Sequence, residues 1–486
     1  MDILSILIFL PLFGALFILL LPRGAGGLIR FVGAFIAFAN LLISAYLYFI
    51  FDKTNPDFQF IKDISWIPTL NINYFVGVDG ISIPMVFLTA FLFSLSVIIS
   101  WNITDRVKEY FICFLVLETG VMGVFLALDL FLFYIFWELV LIPMYFLIGI
   151  WGGKNRRYAA IKFILYTAAG SLVMLIGILC MYFVSEPHTF SIVELSKQGF
   201  AKPFQCFIFL LLFVGFAVKV PIFPFHTWLP DAHVEAPTAG SVILAGLLLK
   251  LGTYGFLRVS FPLFPDAVAV FAYPFAVLGV VNIVYGACAA MAQQDLKKMI
   301  AYSSISHMGF VLLAMASLTN TGLNGAVLQM FSHGVITGSL FMLVGVIYDR
   351  THIRDIDAFG GLARQVPRYA GLMFFACLAS LGLPGLAGFI SEFLCLVGAF
   401  PVFKLLTIVS VSGIVITAVY LLWMLERVFL GELNPKYAHL PDVDKREFLA
   451  LVPLVLVTFI VGVYPKVVLD VLGPAITQLT ARLNGG

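Results

Sequence analysis

Seven ionisable side chains lie inside long apolar runs of this 486-residue chain: Glu118 (VLETG), Glu138 (YIFWELVLIPMY), Lys219 (VGFAVKVPIFPF), Lys250 (ILAGLLLKLGTYG), His307 (MIAYSSISHMGF), His333 (FSHGV) and Glu392 (GFISEFLCL). A charge near the centre of a bilayer costs about 2.5–3.5 kcal/mol on insertion scales, and such residues persist where they pair, line an ion pathway, or both. Carboxylates, amines and imidazoles are the groups that take up and release protons, so the order Glu138, Lys219, Lys250, His307, Glu392 reads as a proton relay. His333 and Glu118 are secondary members.

Glu138 sits in the middle of its apolar run, and Lys219 is its natural partner across a helix bundle. Burial disfavours the ammonium and a nearby carboxylate favours it, so moving Glu138 closer or farther would load or release a proton. The alternative is a static ion pair that joins two helices. Lys250 has Gly246 and Tyr254 as its helical neighbours, and the glycine lets another backbone come close. His307 has Ser303 and Ser306 beside it, hydroxyls that can order water around an imidazole titrating near neutrality; the alternative is a satisfied core histidine. Glu392 has no basic residue in its own run, so its carboxyl suits a terminal proton donor.

The elements that position these groups follow from composition. The chain is 62% hydrophobic and 11% charged, against about 25% charged in soluble domains. Apolar runs of bilayer length recur throughout, so the chain reads as an all-α polytopic membrane protein. Fourteen spans are predicted, near 3–21, 28–51, 81–101, 110–128, 130–150, 158–184, 204–225, 237–258, 267–290, 299–318, 322–347, 371–399, 404–430 and 449–470. The amino terminus lacks a basic region and a small-residue cleavage site, so it reads as a retained first helix. The net charge of +2 gives no argument for nucleic acid. Of 28 lysines and arginines, 18 fall on the odd-numbered loops, 8 on the even-loop side with both termini, and two, Lys219 and Lys250, inside spans. That asymmetry places the odd loops in the cytoplasm and both termini on the periplasmic side. The basic cluster KNRR (154–157) is then a topology anchor.

Two spans carry breaks. Pro221 and Pro224 interrupt the seventh, and LGLPGLAGF (381–389) interrupts the twelfth. Paired broken helices point to an inverted repeat with its ion pathway at the repeat interface. The expected organisation is an N-terminal part (1–109), a first five-helix repeat (110–258), a second, inverted five-helix repeat (267–430), and a last helix with a tail (449–486). Non-helical backbone at membrane depth is tolerated only where protein or a water-filled cavity covers it, which suits a buried ammonium at Lys219.

Other chemistries are weakly represented. His226, Asp231 and His233 in HTWLPDAH are too loosely grouped for a metal site, and turn formation or capping by Asp231 after Pro230 accounts for them. The six cysteines show no CxxC spacing, so neither zinc, a cluster nor a disulfide is expected. No phosphate loop, nucleophile elbow or dinucleotide fingerprint appears. No cofactor or metal is expected in this chain.

Three stretches carry a resemblance: FWELVLIPMYFLIGIWGG (136–153), VKVPIFPFHTWLPDAHVEAPTAGSVILAGLLLKLGTYG (218–255) and QQDLKKMIAYSSISHMGF (293–310). They resemble the antiporter-like membrane subunits of proton-pumping NADH:quinone oxidoreductase, over about residues 80–430. Within that family the chain is similar to the M type, the bacterial counterpart of mitochondrial chain 4. Glu392 stands where the L and N types carry a lysine, and no long lateral amphipathic helix follows the fourteenth span. The resemblance implies a proton channel in the inner-membrane arm of a hetero-oligomeric complex, with L-type and N-type subunits as neighbours. It makes Glu138 and Lys219 the switching pair, Lys250 and His307 the central relay, and Glu392 the exit. NADH, flavin, iron–sulfur clusters and quinone belong on other subunits. A multisubunit Na+/H+ antiporter and a membrane-bound hydrogenase complex are alternative settings, and a scaffold whose charges only fix packing is a third reading.

Overall fold

The computed structural model describes residues 2–485. Among the described residues thirteen helices are long and apolar enough to cross a bilayer. In chain order the elements are α1 (Ile3–Leu20), α2 (Gly26–Ile50), β1 (Gln59–Ile67), β2 (Ile72–Val78), α3 (Ser82–Ile99), α4 (Val107–Leu126), α5 (Leu130–Trp151), α6 (Arg156–Val184), α7a (Lys202–Lys219), α7b (Trp228–Glu235), α8 (Thr238–Leu263) and α9 (Pro265–Met291). There follow α10 (Leu296–Ala316), α11 (Asn320–Thr351), α12a (Pro367–Ser380), α12b (Ala387–Ala399), α13 (Lys404–Phe429), α14 (Lys445–Val463) and α15 (Lys466–Leu483). The twelfth predicted span is missing from the thirteen because it is divided into two shorter helices, α12a and α12b.

Two elements were not read from the sequence. The connection after α2 folds as the antiparallel hairpin β1–β2, turned by Asn71 in the left-handed region, which asparagine tolerates. Its second strand bridges Ala127, and Leu128 donates its N–H to the Phe75 carbonyl. The last span, expected to run to about residue 470, ends at Val463, and the tail expected after it is a separate helix, α15. It turns away from α14 at Tyr464–Pro465 and joins the even-loop side through Gln478 to Asp57 at 2.9 Å and Asn320 to Thr477 at 2.9 Å.

Burial sorts the helices into centre and ring. The apolar windows of α8 and α11 are 100% buried, against 28% for α2 and 33% for α13 and α14. Leu20, Phe49, Leu42 and Leu405 point outward on ring helices, a surface that fits lipid and not water. A helix buried on every side is where a charge must find its partner in protein. Lys250 lies on α8, and His307 and His333 lie on α10 and α11.

The seventh span is interrupted between Lys219 and Trp228, and the groups this frees are taken by side chains. Trp228 Nε1 donates to the Val218 carbonyl at 2.9 Å. Asn282, fully buried on α9, accepts from Phe223 N–H at 2.8 Å and donates to the Pro221 carbonyl at 3.2 Å. Unpaired backbone inside a bilayer costs several kcal/mol, so this one asparagine makes the break tenable. The α12 interruption turns on Gly382 and Gly385, both at positive φ, a conformation open to glycine at little cost.

Candidate functional site

The centre of the site is a local change of helix pitch. Residues Leu244–Leu248 of α8 form a π-turn, with the Leu249 N–H reaching back to the Leu244 carbonyl. Such a turn skips a carbonyl in the usual ladder, and the Ala245 carbonyl accepts instead from Lys250 Nζ at 2.5 Å. The same ammonium nitrogen lies 2.6 Å from His333 Nδ1 on α11. Two glycines allow this reach. Gly246 and Gly334 cross so closely that a Cβ on Gly334 would lie 2.9 Å from the Gly246 carbonyl oxygen. The close approach expected at Gly246 is therefore met by a second glycine.

From His333 the polar groups continue inward on neighbouring helices. Its ring centroid is 5.6 Å from that of His307. His307 Nδ1 lies 2.5 Å from Glu392 Oε1, and its Nε2 lies 3.2 Å from Ser380 Oγ. Gln329 donates to the same Glu392 oxygen at 3.1 Å, and Ser391 donates to Gln329 Oε1 at 2.5 Å. A small void touching His307, His333, Gln329, Ser380 and Glu392 leaves about 10 Å³ for the centre of a water molecule, which is room for one. Four of the sequence-selected residues, Lys250, His333, His307 and Glu392, thus stand in one chain.

Two expectations change here. Glu392 is not unpaired: its partner comes from α10, which its own span could not reveal. The hydroxyls beside His307 in sequence do not serve it. Ser306 donates to the Ile283 carbonyl and Ser303 accepts from Tyr420, while Ser380, from α12a, faces the ring. Spacing along one helix says which side chains share a face, not which foreign helix covers that face.

Lys219 and Glu138 are near each other without a closed ion pair. Lys219 Nζ is buried, has no hydrogen-bond partner among the described residues, and lies 5.1 Å from the centre of the Trp137 ring. Glu138 is within electrostatic reach of it, and Glu138 Oε1 is also without a partner. Pro143 lies one turn further along α5 and leaves the Leu139 carbonyl without an amide donor, so Glu138 sits at a loosened turn, where the two regular segments of α5 meet. On its other side, α7a meets α8 at Gly252, where an added Cβ would lie 2.7 Å from the Phe216 carbonyl oxygen.

Glu118 is not brought to this row. It faces α2, where Asn40 Nδ2 donates to its Oε1 at 2.7 Å. Asp231 does not cap a turn: it lies inside α7b and pairs with Lys162 at 2.7 Å. His226 Nε2 lies 3.1 Å from Tyr285 Oη. Among the described residues no group of acidic, histidine or cysteine side chains is placed to hold a metal.

Sequence reasoning weighed His233 only as a metal ligand, and passed over Gln329. His233 is fully buried, stacks on Phe341 at 4.6 Å, and neither ring nitrogen has a partner. Lys250 and Lys297 both act on it electrostatically. Its place in a proline-flanked stretch hid a helical position that faces the bundle. On the odd-loop side a cleft of about 380 Å³ is lined by Glu235, Lys297, Asp349 and His352. Lys297 donates to the Ala236 carbonyl at 2.8 Å at its floor.

Comparison with known proteins gives consistent matches. A family profile described as NADH:quinone oxidoreductase/Mrp antiporter, TM matches residues 127–417, and one described as NADH-ubiquinone oxidoreductase chain 4, amino terminus, matches residues 31–128. The chain is 46% identical to NADH-quinone oxidoreductase subunit M of Rhodobacter capsulatus, over 99% of this chain and 97% of that one. It is 43% identical to NADH-ubiquinone oxidoreductase chain 4 of Arabidopsis thaliana, over 98% and 96% of the two chains. A chain of respiratory complex I from Thermus thermophilus with bound NADH superposes with a TM-score of 0.90 at 30% identity, covering 98% of this chain and 99% of that one. A chain of the Mrp complex from a Dietzia species gives 0.86 at 21% identity over 99% and 98%, a likeness of fold.

Proposed function

Because this chain belongs to the NADH:quinone oxidoreductase/Mrp antiporter family of membrane subunits, we propose that its buried row is the proton path of a membrane-arm subunit in a NADH:quinone oxidoreductase. The observation that carries the reading is the contact series Lys250, His333, His307, Glu392 across four helices of the core. Each member exchanges a proton without a redox change, and consecutive members touch or, at His333 and His307, face each other ring to ring.

In this reading Glu138 and Lys219 form the switch at one end. The absence of a closed ion pair supports a pair that can be made and broken. Lys250 passes a proton to His333 and His307, and Glu392 receives it. The cleft at Lys297, with His233 beyond it, supplies the row from the odd-loop side, which the lysine and arginine bias assigns to the cytoplasm of a bacterial inner membrane; both termini then lie in the periplasm. The two five-helix units, α4 to α8 and α9 to α13, form an inverted pair, each with its break in the fourth helix. The chain acts as a non-redox part of the translocase. NADH, flavin, iron–sulfur clusters and quinone sit on other subunits, and the neighbours in the membrane are L-type and N-type chains.

The test is coupled turnover in the assembled complex. Lys219→Ala and Glu138→Gln should leave assembly intact and lower NADH:quinone turnover and proton movement together. Normal pumping in an assembled Lys219→Ala complex would overturn the reading. A swap of Glu138 and Lys219 that keeps the pair neutral but preserves pumping would favour the scaffold reading instead. Copurification of flavin and iron–sulfur subunits separates this setting from a Na+/H+ antiporter.

A further inference from the structure

Glu118 stands apart from the row, and its surroundings pose a separate question of hydrogen-bond arithmetic. It is fully buried on α4, and among the described residues its one hydrogen-bond partner is Asn40, itself fully buried on α2. Asn40 Nδ2 donates to Glu118 Oε1, while Glu118 Oε2 and Asn40 Oδ1 are both buried without a partner. An ionised carboxylate only accepts, and an amide oxygen only accepts. Two idle acceptors on two bonded groups lack one thing, a donor.

The flanking hydroxyls do not provide it. Ser44 on α2 donates to the Leu41 carbonyl, Ser94 on α3 to the carbonyls of Ala37 and Ala90, and Thr119 on α4 to the Leu115 carbonyl. Among the described residues no lysine, arginine or histidine forms an ion pair with Glu118. An isolated carboxylate in the middle of a membrane bundle is costly, and a carboxylic acid beside a carboxamide can close two hydrogen bonds in one ring.

We propose that Glu118 holds a resident proton as a neutral carboxylic acid, its Oε2–H donating to Asn40 Oδ1, so that an acid–amide pair fastens α2 to α4 and stays outside the transported proton pool. The pair has a positioning consequence. Just beyond Glu118, α4 lays Gly120 and Gly123 against Val140 and Phe136 of α5, so close that a side chain at either glycine would strike them. Tethering α4 to α2 therefore fixes the helix against which the Glu138 turn packs. Glu118 is a positioning residue and not a station of the relay.

The decisive measurement is infrared difference spectroscopy of the purified complex, wild type minus Glu118→Gln. A hydrogen-bonded carboxylic C=O band that belongs to Glu118 and persists from about pH 6 to 9, where an ordinary glutamate is ionised, is expected. The carboxamide of the Glu118→Gln variant offers an N–H where the acid offered an O–H, so coupled turnover should stay within about twofold of wild type. Asn40→Leu, which leaves the acid in place but removes its partner, should move the band to higher frequency; this covers the case in which Glu118→Gln fails to assemble. A carboxylate band at Glu118, a band that titrates in step with turnover, a band unmoved by Asn40→Leu, or loss of pumping in an assembled Glu118→Gln complex would each overturn the proposal.

Discussion

Replacing Gly334 by alanine tests whether the Lys250–His333 contact carries protons. An added Cβ would lie 2.9 Å from the Gly246 carbonyl oxygen and 2.7 Å from Leu88 Cδ2. The leucine tip can rotate away, but the backbone carbonyl of a fully buried helix cannot. Ordinary contact begins near 3.4 Å, so α8 and α11 must separate by about 0.5 Å at the crossing, a strain of the size that costs about 1–3 kcal/mol in packed cores. His333 is the residue before Gly334, so its Nδ1 moves from 2.6 Å to about 3.1 Å from Lys250 Nζ, the outer part of the hydrogen-bonding range. A hydrogen bond to a charged group is worth about 1.5–3 kcal/mol. Losing half of it lowers the population of the transfer-competent pair by roughly 3- to 10-fold. Coupled NADH:quinone turnover and proton uptake into proteoliposomes should fall by that factor. NADH oxidation by an artificial acceptor that bypasses the membrane arm should not change. Gly338→Ala is the control on the same helix, because its nearest contact would be the movable Leu92 side chain at 3.2 Å. An assembled Gly334→Ala complex with wild-type coupled turnover would refute the assignment of Lys250–His333 as a transfer step, and so would an equal loss in Gly338→Ala.

Three further outcomes follow from the same structure. Glu392→Gln keeps a group of the same shape against His307 but cannot hold a proton or favour the imidazolium; with about 1.5–3 kcal/mol at stake, coupled turnover should drop about tenfold or more in an assembled complex, read by the same assay. Asn282→Leu strips the Phe223 N–H and the Pro221 carbonyl of their partners; two unsatisfied buried groups at about 1–3 kcal/mol each should lower the thermal stability of the solubilised protein well below that of wild type, and equal stability of Asn282→Leu and wild type would contradict that account of the break. Asp129, which caps α5 through the N–H groups of Phe131 and Leu132, is pushed up by burial to about 6 from its ordinary 3.8. The folded form therefore takes up this proton ahead of the unfolded chain, so the contribution favours folding in acid and is lost as pH rises through about 6. The stability of wild type relative to Asp129→Asn, followed by thermal unfolding between about pH 4 and 7, should decline from about pH 4 to about 6 and level off above that; a difference that is flat from about pH 4 to 6 would show that the carboxyl is not so perturbed.

Much of the architecture follows from one-dimensional pattern. A run of some twenty apolar residues has no stable home but a bilayer, and the backbone inside it must be helical, so most spans were legible to within a few residues, while the seventh and fourteenth stop early at Lys219 and Val463, each just before a proline. The hairpin β1–β2 was not, because its alternation lies within a loop whose strands pair only with each other and with the α4–α5 corner. The α15 helix was hidden because Val467, Val468, Val471 and Leu472 alternate with Lys466, Asp470 and Gln478, a pattern that becomes helical only with a surface to lie on. The place of His233 beside the row, and Gln329 altogether, were missed for a related reason. One sits among prolines and the other is an uncharged amide, and neither announces that a relay residue stands beside it.

The sequence by itself determined that this is a many-spanning membrane protein and that its few buried ionisable residues must matter, because transferring charge out of water is too costly to be accidental. Which of those residues meet was decided only by the tertiary structure. Helices pack by shape, and the glycine pair Gly246 and Gly334, set on different helices, is what brings Lys250 to His333. The same packing turned Glu118 toward α2, away from the row, though along the chain it looks much like Glu138. Hydropathy is a property of each residue, whereas a proton path depends on distances of a few ångströms between helices far apart in sequence.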